Sequence, residues 1–279
     1  SRGYKRKSRG YRMVRRGDTA LTVGDEPLQY FLKYPQIGVA VSESRSIGIP
    51  LMLSEQPNTQ VILLDDSYQH LSVTPYLNIL LTEFDAPYSN DILLPAGRLR
   101  EWKSGADRAD IIIVSKCPEN LSLETKTLMR DQLEIKPHQA LYFSKYRYDQ
   151  PYHLLTGMRH QLNQYDNIIL VTAIANESYL LTHLSQSGSD IHTMTYEDHH
   201  VFSPHEVSLL KQQYDHLAQD SKTIILTTEK DATRLILHRE YIEENRLPIL
   251  VLPIHVTFLD QDGNRFNQQI QEALLNFKY

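Results

Sequence analysis

Short continuous apolar runs alternate along this chain with stretches of helical periodicity. Residues 61–64 (Val61, Ile62, Leu63, Leu64), 77–84, 110–117, 167–175 and the run that opens at Thr223 are each apolar and rich in β-branched side chains. Runs of this kind predict strands covered on both faces, the pattern of a parallel sheet flanked by helices. Residues 37–41 read as a further short strand and 247–263 as the last strands with a turn. Between them the pattern turns helical. Asp25, Glu26 and Pro27 form a helix-start signature with Asp25 as N-cap, and the helix runs to about Lys33 ahead of Pro35. Helices are also expected from Arg45 to Leu51, over 124–133 and 177–186, and from 265 to 277. The clearest start is at Ser203, Pro204 and Glu206, the N-cap, N1 and N3 of a capping box. Val207, Leu210, Tyr214 and Leu217 then recur along one face.

Strands that alternate with helices in this way predict an α/β chain. At 279 residues it is long for one such domain and comfortable for two. The expected layout is two α/β/α domains, 1–140 and a smaller 167–279, joined by linker strands over 141–166. That connector is rich in tyrosine (Tyr142, Tyr146, Tyr148, Tyr152, Tyr165) and reads as an exposed strand or hairpin.

Charge changes the picture at one end only. The net charge of −5 argues against a general nucleic-acid binder, yet residues 1–16 carry eight Lys or Arg and no acid. A basic start of this kind suits a solvated loop, an anionic ligand or an acidic membrane surface. Cys117 is the single cysteine, so there is no disulfide framework, and a reducing compartment fits. No apolar run approaches 18 residues. The chain opens on SRGYKRK without an initiator Met, and an amino-terminal segment is expected ahead of it.

Candidate chemistry gathers at strand exits. Asp65 and Asp66 follow the apolar run 61–64, with Gln69 and His70 close behind. In open α/β sheets ligands bind beyond the carboxyl ends of the strands, so carboxylates there are placed to hold Mg²⁺ beside a phosphate. The loop 93–105 supplies Arg98, Arg100 and Glu101, which read either as surface charge or as a phosphate clamp and a further metal ligand. Asp198, His199 and His200 stand in a row just ahead of the helix at 204. Lys230 lies at a second strand exit. Neither G-x-x-x-x-G-K-[ST] nor G-x-G-x-x-G occurs, so nucleotide use does not follow from these residues alone.

Taken together, SRGYKRK, VGDEP, LLDDSYQH, LLPAGRLRE, VSKC, AIAN, EDHHVF and TTEKDATR resemble, in order and spacing, the tetraacyldisaccharide 4′-kinase (lipid A 4′-kinase) family, from residue 1 to about 235. The resemblance implies a P-loop NTPase-like first domain and an ATP-dependent, Mg²⁺-using kinase of lipid A biosynthesis. Its substrate would be the 4′-hydroxyl of tetraacyldisaccharide 1-phosphate. It also implies a peripheral place on the cytoplasmic face of the bacterial inner membrane, against anionic lipid. In that family a helix and a GGTGKTP-type P-loop precede SRGY, so the 279 residues by themselves are expected to be inactive. By position, Asp25 corresponds to the catalytic aspartate and His199 to the histidine that works with it. Asp65, Asp66 and Glu101 correspond to the Mg²⁺ site, and His70 and Arg100 to substrate contacts. The sequence departs from many relatives in the Ser-Tyr of DDSYQH and in Arg98, and both departures leave the acids and His70 in place. Two other classes stay open: a metal-dependent phosphohydrolase using Asp65, Asp66, Asp198, His199 and His200, and a non-catalytic lipid- or nucleotide-binding remnant.

Overall fold

The computed structural model describes residues 1–277. In chain order it contains β1 (Arg12–Met13), α1 (Ala20–Val23), α2 (Asp25–Lys33), β2 (Ala40–Val41), α3 (Arg45–Glu55), β3 (Ile79–Glu83), β4 (Ile111–Ser115), α4 (Leu123–Gln132) and β5 (Ala140–Tyr148). There follow β6 (Tyr152–His153), β7 (Asn167–Thr172), α5 (Ser178–Leu184), β8 (Asp190–Thr195), α6 (Pro204–Leu217), β9 (Thr223–Thr228) and α7 (Glu229–Leu235). The chain closes with α8 (Arg239–Glu244), β10 (Ile249–Leu252), β11 (Ile254–Phe258) and α9 (Asp262–Asn276).

Two compact units result, and neither is continuous in sequence. The first comprises Ser1–Asp65 with Tyr148–Ile254, the second Asp66–Arg147 with His255–Tyr279. These bounds differ from the consecutive blocks 1–140, 141–166 and 167–279, whose last two residues lie outside those described. The physical reason is helix packing: α2 lies against α7, which draws the opening of the chain to the second half.

The first unit is built on a five-stranded sheet of order β6-β10-β9-β7-β8. β10, β9, β7 and β8 run parallel, and β6 is antiparallel on the edge. Period-two alternation divides each central strand between two cores. Ile169, Val171, Ile225 and Ile249 pack on one face with Phe202, Val207, Leu210 and Leu235. Ile168, Leu170, Ile224, Leu226 and Leu250 pack on the other with Leu180 and Leu184. A smaller core of Val14, Ala20, Val23, Leu28, Val39 and Val41 joins α1 and α2 to the β1–β2 ribbon.

The second unit has a four-stranded sheet, β11-β5-β4-β3, with β3, β4 and β5 parallel. Ile112, Val114, Leu141 and Phe143 meet Met129 and Leu133 of the α4 region on one face. Ile111, Ile113 and Tyr142 meet Phe258, Phe266 and Ile270 on the other. The tyrosine-rich stretch therefore gives β5 to this sheet and β6 to that of the first unit. Tyr142 is buried, its ring edge-on to Phe258 and Phe266, so it packs where an exposed strand was expected.

The mixed α/β class with parallel sheets is as expected from the sequence. One predicted strand is absent: residues 61–64 form no strand, and Leu63 is 86% exposed. A continuous apolar run marks a covered strand only where neighbouring strands hydrogen-bond to it, and residues 61–64 belong to none of the three sheets.

Candidate active site

Asp25 opens α2, but its role in the helix differs from the N-cap expected for it. Gly24 is the cap, at φ 94°, in the left-handed region that favours glycine. A Cβ there would fall 2.9 Å from the Cα of Gly3. This turn lets α2 start one residue after α1 ends, with Asp25 in the first turn and 5% exposed. Asp25 Oδ1 accepts the N–H of Glu26 at 3.0 Å, which leaves Oδ2 to face the rest of the site.

His199 comes from the loop between β8 and α6 and has φ 58°. Its N–H donates to Ala173 O at the end of β7 (3.3 Å). The loop is fixed from the other side by the capping box predicted for α6. Ser203 Oγ accepts the N–H of Glu206, and Glu206 accepts from Ser203 N–H at 2.7 Å and from the Ser203 hydroxyl. His200 adds its Nε2 at 3.0 Å from both Glu206 oxygens, and its ring stacks on Tyr196. Burial opposes ionisation of Glu206, but the Ser203 and His200 hydrogen bonds outweigh it and hold its pKa down to about 2. His200 is thus an anchor for the loop, directly beside the candidate His199.

The two candidate catalytic residues meet. His199 Nδ1 lies 2.8 Å from Asp25 Oδ2. Lys230 Nζ lies 3.2 Å from the opposite ring nitrogen, Nε2. An ammonium can only donate, so Nε2 is the acceptor and Nδ1–H donates to Asp25, which fixes the tautomer. Lys230 stands on the first turn of α7 and is shared with Asp198 Oδ1 (3.2 Å) and Glu26 Oε1 (3.5 Å). The ring of Tyr4 tilts over His199 at 4.8 Å, and Lys5 donates to Asp198 O at 3.2 Å. VGDEP, EDHHVF and TTEKDATR, far apart in the chain, converge here within the first unit.

Behind the dyad stands a residue that the sequence reading did not single out. Arg234, 2% exposed, brings Nη1 to 3.1 Å from Asp25 Oδ2 and forms a close ion pair through Nη2 with Asp231. The signal available was an acid and an arginine three residues apart just after a strand, on a helix otherwise buried.

The remaining candidates fall in different places. Asp65 ends the first segment of the first unit. Its Oδ1 is 3.4 Å from the Tyr30 hydroxyl, and its backbone O accepts from Arg45 Nη2 at 2.9 Å. Its Oδ2 is buried with no hydrogen-bond partner among the described residues. Burial, with Asp65 beside it, pushes the Tyr30 phenol upward. Asp66, by contrast, belongs to the second unit, at φ 42°, and accepts two hydrogen bonds from the fork of Arg100 (2.9 and 3.1 Å). Glu101 accepts from Arg108 at 2.9 Å through both oxygens and from Gln69 at 3.2 Å. His70 Nε2 is 2.9 Å from Ser72 Oγ. Arg98 pairs with Asp91 at 2.9 Å. Among the described residues no three His, Cys, Asp or Glu side chains are grouped so as to hold a metal ion.

The family model of tetraacyldisaccharide-1-P 4′-kinase (LpxK) matches residues 1–275. The chain belongs to this family. The tetraacyldisaccharide 4′-kinase of Bacteroides thetaiotaomicron is 39% identical over 282 aligned residues, which cover 97% of this chain and 74% of that protein. That of Flavobacterium johnsoniae is 36% identical over 270, covering 95% and 74%. A crystal structure of LpxK from Aquifex aeolicus, described as an "apo" form in complex with ATP, superposes with a TM-score of 0.68 at 23% identity. It covers 98% of this chain and 77% of that one. The likeness shows a shared mixed α/β fold with parallel sheets. No helix among the described residues is long and apolar enough to cross a membrane.

Proposed function

We propose that this tetraacyldisaccharide 4′-kinase family member transfers the γ-phosphate of ATP to the 4′-hydroxyl of tetraacyldisaccharide 1-phosphate in lipid A biosynthesis. The observation that carries the reading is the Asp25–His199 pair, a buried carboxylate hydrogen-bonded to one nitrogen of an imidazole whose other nitrogen lies 3.2 Å from Lys230 Nζ and 3.6 Å from Asp198 Oδ2. In the proposed reaction the hydroxyl oxygen attacks the γ-phosphorus in line and the bond from that phosphorus to the bridging oxygen breaks. ADP departs, and the hydroxyl proton passes to the dyad. The geometry favours His199 Nε2 as the atom that receives the proton once Lys230 moves aside. Asp25 then holds the ring and stabilises the imidazolium.

Asp65 is the fitting Mg²⁺ ligand. Its Oδ2 is a buried carboxylate oxygen with no donor among the described residues, and hard divalent cations take such oxygens. When bound, the ion would supply charge neutralisation to the phosphates. Asp66 and Glu101, the other two candidates, are engaged by Arg100 and Arg108 and would have to exchange an arginine for the ion. Arg100 is proposed to read the substrate's phosphate through its fork, with His70 nearby in sequence. The exposed Arg2, Lys7, Arg9 and Arg16 support a peripheral place on an anionic membrane surface.

The test is transfer of labelled γ-phosphate from ATP to the disaccharide in detergent micelles by the full-length protein, by D25A and by H199A. Product from the native protein alone is expected. Absence of product at saturating ATP and Mg²⁺ overturns the kinase reading, and release of orthophosphate without ATP would instead indicate a phosphohydrolase.

A further inference from the structure

We propose that Arg234, locked by Asp231, is a positioning residue for the phosphoryl-transfer step: it fixes the Asp25 carboxylate so that the carboxylate can aim His199. The inference rests on the dyad reading above.

The arrangement is a chain of charges running inward from the dyad. Asp231, fully buried, is held on several sides. Its Oδ2 accepts from the Thr228 hydroxyl at 2.7 Å and from Ala173 N–H at 3.2 Å, and its Oδ1 takes the guanidinium of Arg234. Ala173 follows β7 and Thr228 ends β9, so Asp231 is tied to the carboxyl ends of two central strands. Arg234 Nη2 also donates to Ala173 O at 3.3 Å. The guanidinium is therefore placed by the sheet itself, independently of α2.

Its outer edge meets Asp25. Nη1 lies 3.1 Å from Oδ2, off the line of its N–H bonds, so this contact is an ion pair and not a hydrogen bond. The same Oδ2 accepts from His199 Nδ1. Ala173 thus ties His199 to the Arg234–Asp231 pair: its O accepts from His199 N–H and from Arg234, and its N–H binds Asp231. One strand end sets the height of the imidazole and of the cation beneath its carboxylate.

An arginine that served only to balance a buried aspartate would need just Asp231. Arg234 bridges two carboxylates that come from opposite ends of the sequence, and the second is the one that orients the ring. Breaking a buried pair leaves an uncompensated charge, and here the carboxylates left behind are Asp231, still held by Thr228 and Ala173, and Asp25. Without the guanidinium Asp25 can rotate toward its other donors, and small displacements of a catalytic group cost about 10²-fold in rate.

The experiment measures kcat, both KM values and thermal stability in the full-length protein for R234Q, R234K, D25N and the R234Q/D25N double variant. R234Q is expected to lower kcat by about 10²-fold with unchanged KM for ATP and for the disaccharide. R234K, which keeps the charge without the fork, should fall between R234Q and the native protein. The double variant should be no slower than D25N alone, because Arg234 acts through Asp25. A folded R234Q with native kcat, a loss confined to KM, or losses that multiply in the double variant would overturn the proposal while leaving the dyad intact. If R234Q does not fold, R234K decides by the same split of kcat from KM. Native kcat in D25N would instead overturn the dyad reading itself.

Discussion

Lys230 Nζ sits 3.2 Å from His199 Nε2, at the end of the ring opposite the 2.8 Å contact between Nδ1 and Asp25. The imidazole is thus held along its length between an anion that orients it and a cation that covers its basic nitrogen. If Nε2 receives the proton, H199Q and D25N each lower kcat, by about 10²- to 10⁴-fold. Their double variant is no worse than H199Q, because residues that act as a unit do not add. Single-turnover phosphate transfer measures this. A product of the two separate losses would mean that Asp25 takes the proton by itself.

Acid should loosen the loop that carries His199. Glu206 has a folded pKa of about 2 against a reference of 4.5. Its folded value is depressed, so the stabilisation is present above about pH 4.5 and is lost as pH falls toward 2. The protection factors of the amides at 200–206, which are exchange rates relative to the intrinsic rate at each pH, should fall across that window, and E206Q should remove the dependence. Protection factors in the native protein that stay constant between pH 5 and 2 would contradict it.

Gly24→Ala is expected to destabilise the protein by about 1–3 kcal/mol, the cost of a non-glycine residue held in an unfavourable backbone region. The added Cβ would meet the Gly3 backbone at 2.9–3.0 Å, where no flexible side chain can yield. Because Asp25 follows directly, activity should fall further than stability does. Chemical denaturation and kcat measured on the same sample separate the two.

Asp65→Asn should raise the Mg²⁺ concentration needed for half-maximal kinase activity by about 10- to 100-fold, the usual range when a metal site is disturbed. The KM for the disaccharide should stay unchanged. An unaltered Mg²⁺ requirement would remove Asp65 from the metal site.

Much of the local structure was legible beforehand. The capping box of Ser203 and Glu206 placed α6, because a helix start is a contact between residues three apart. The apolar runs at 110–117, 167–175 and from Thr223 became β4, β7 and β9, since only a sheet covered on both faces asks for uninterrupted apolar side chains. The same rule failed at 61–64, where the run has the composition of a strand and joins none of the three sheets.

What the sequence by itself determined is the set of residue types available and the local elements that carry them: Asp25 at a helix start, His199 in a loop, Lys230 and Arg234 on a helix that follows a strand. Motif spacing could pair Asp25 with His199 through family resemblance alone. The tertiary structure decided which atoms meet. The packing of α2 on α7 divides the chain into discontinuous units and brings Arg234 under Asp25, across 209 positions of sequence. No periodicity reports such a contact, because hydrophobic patterning specifies which face of an element is buried and leaves open which distant element will cover it.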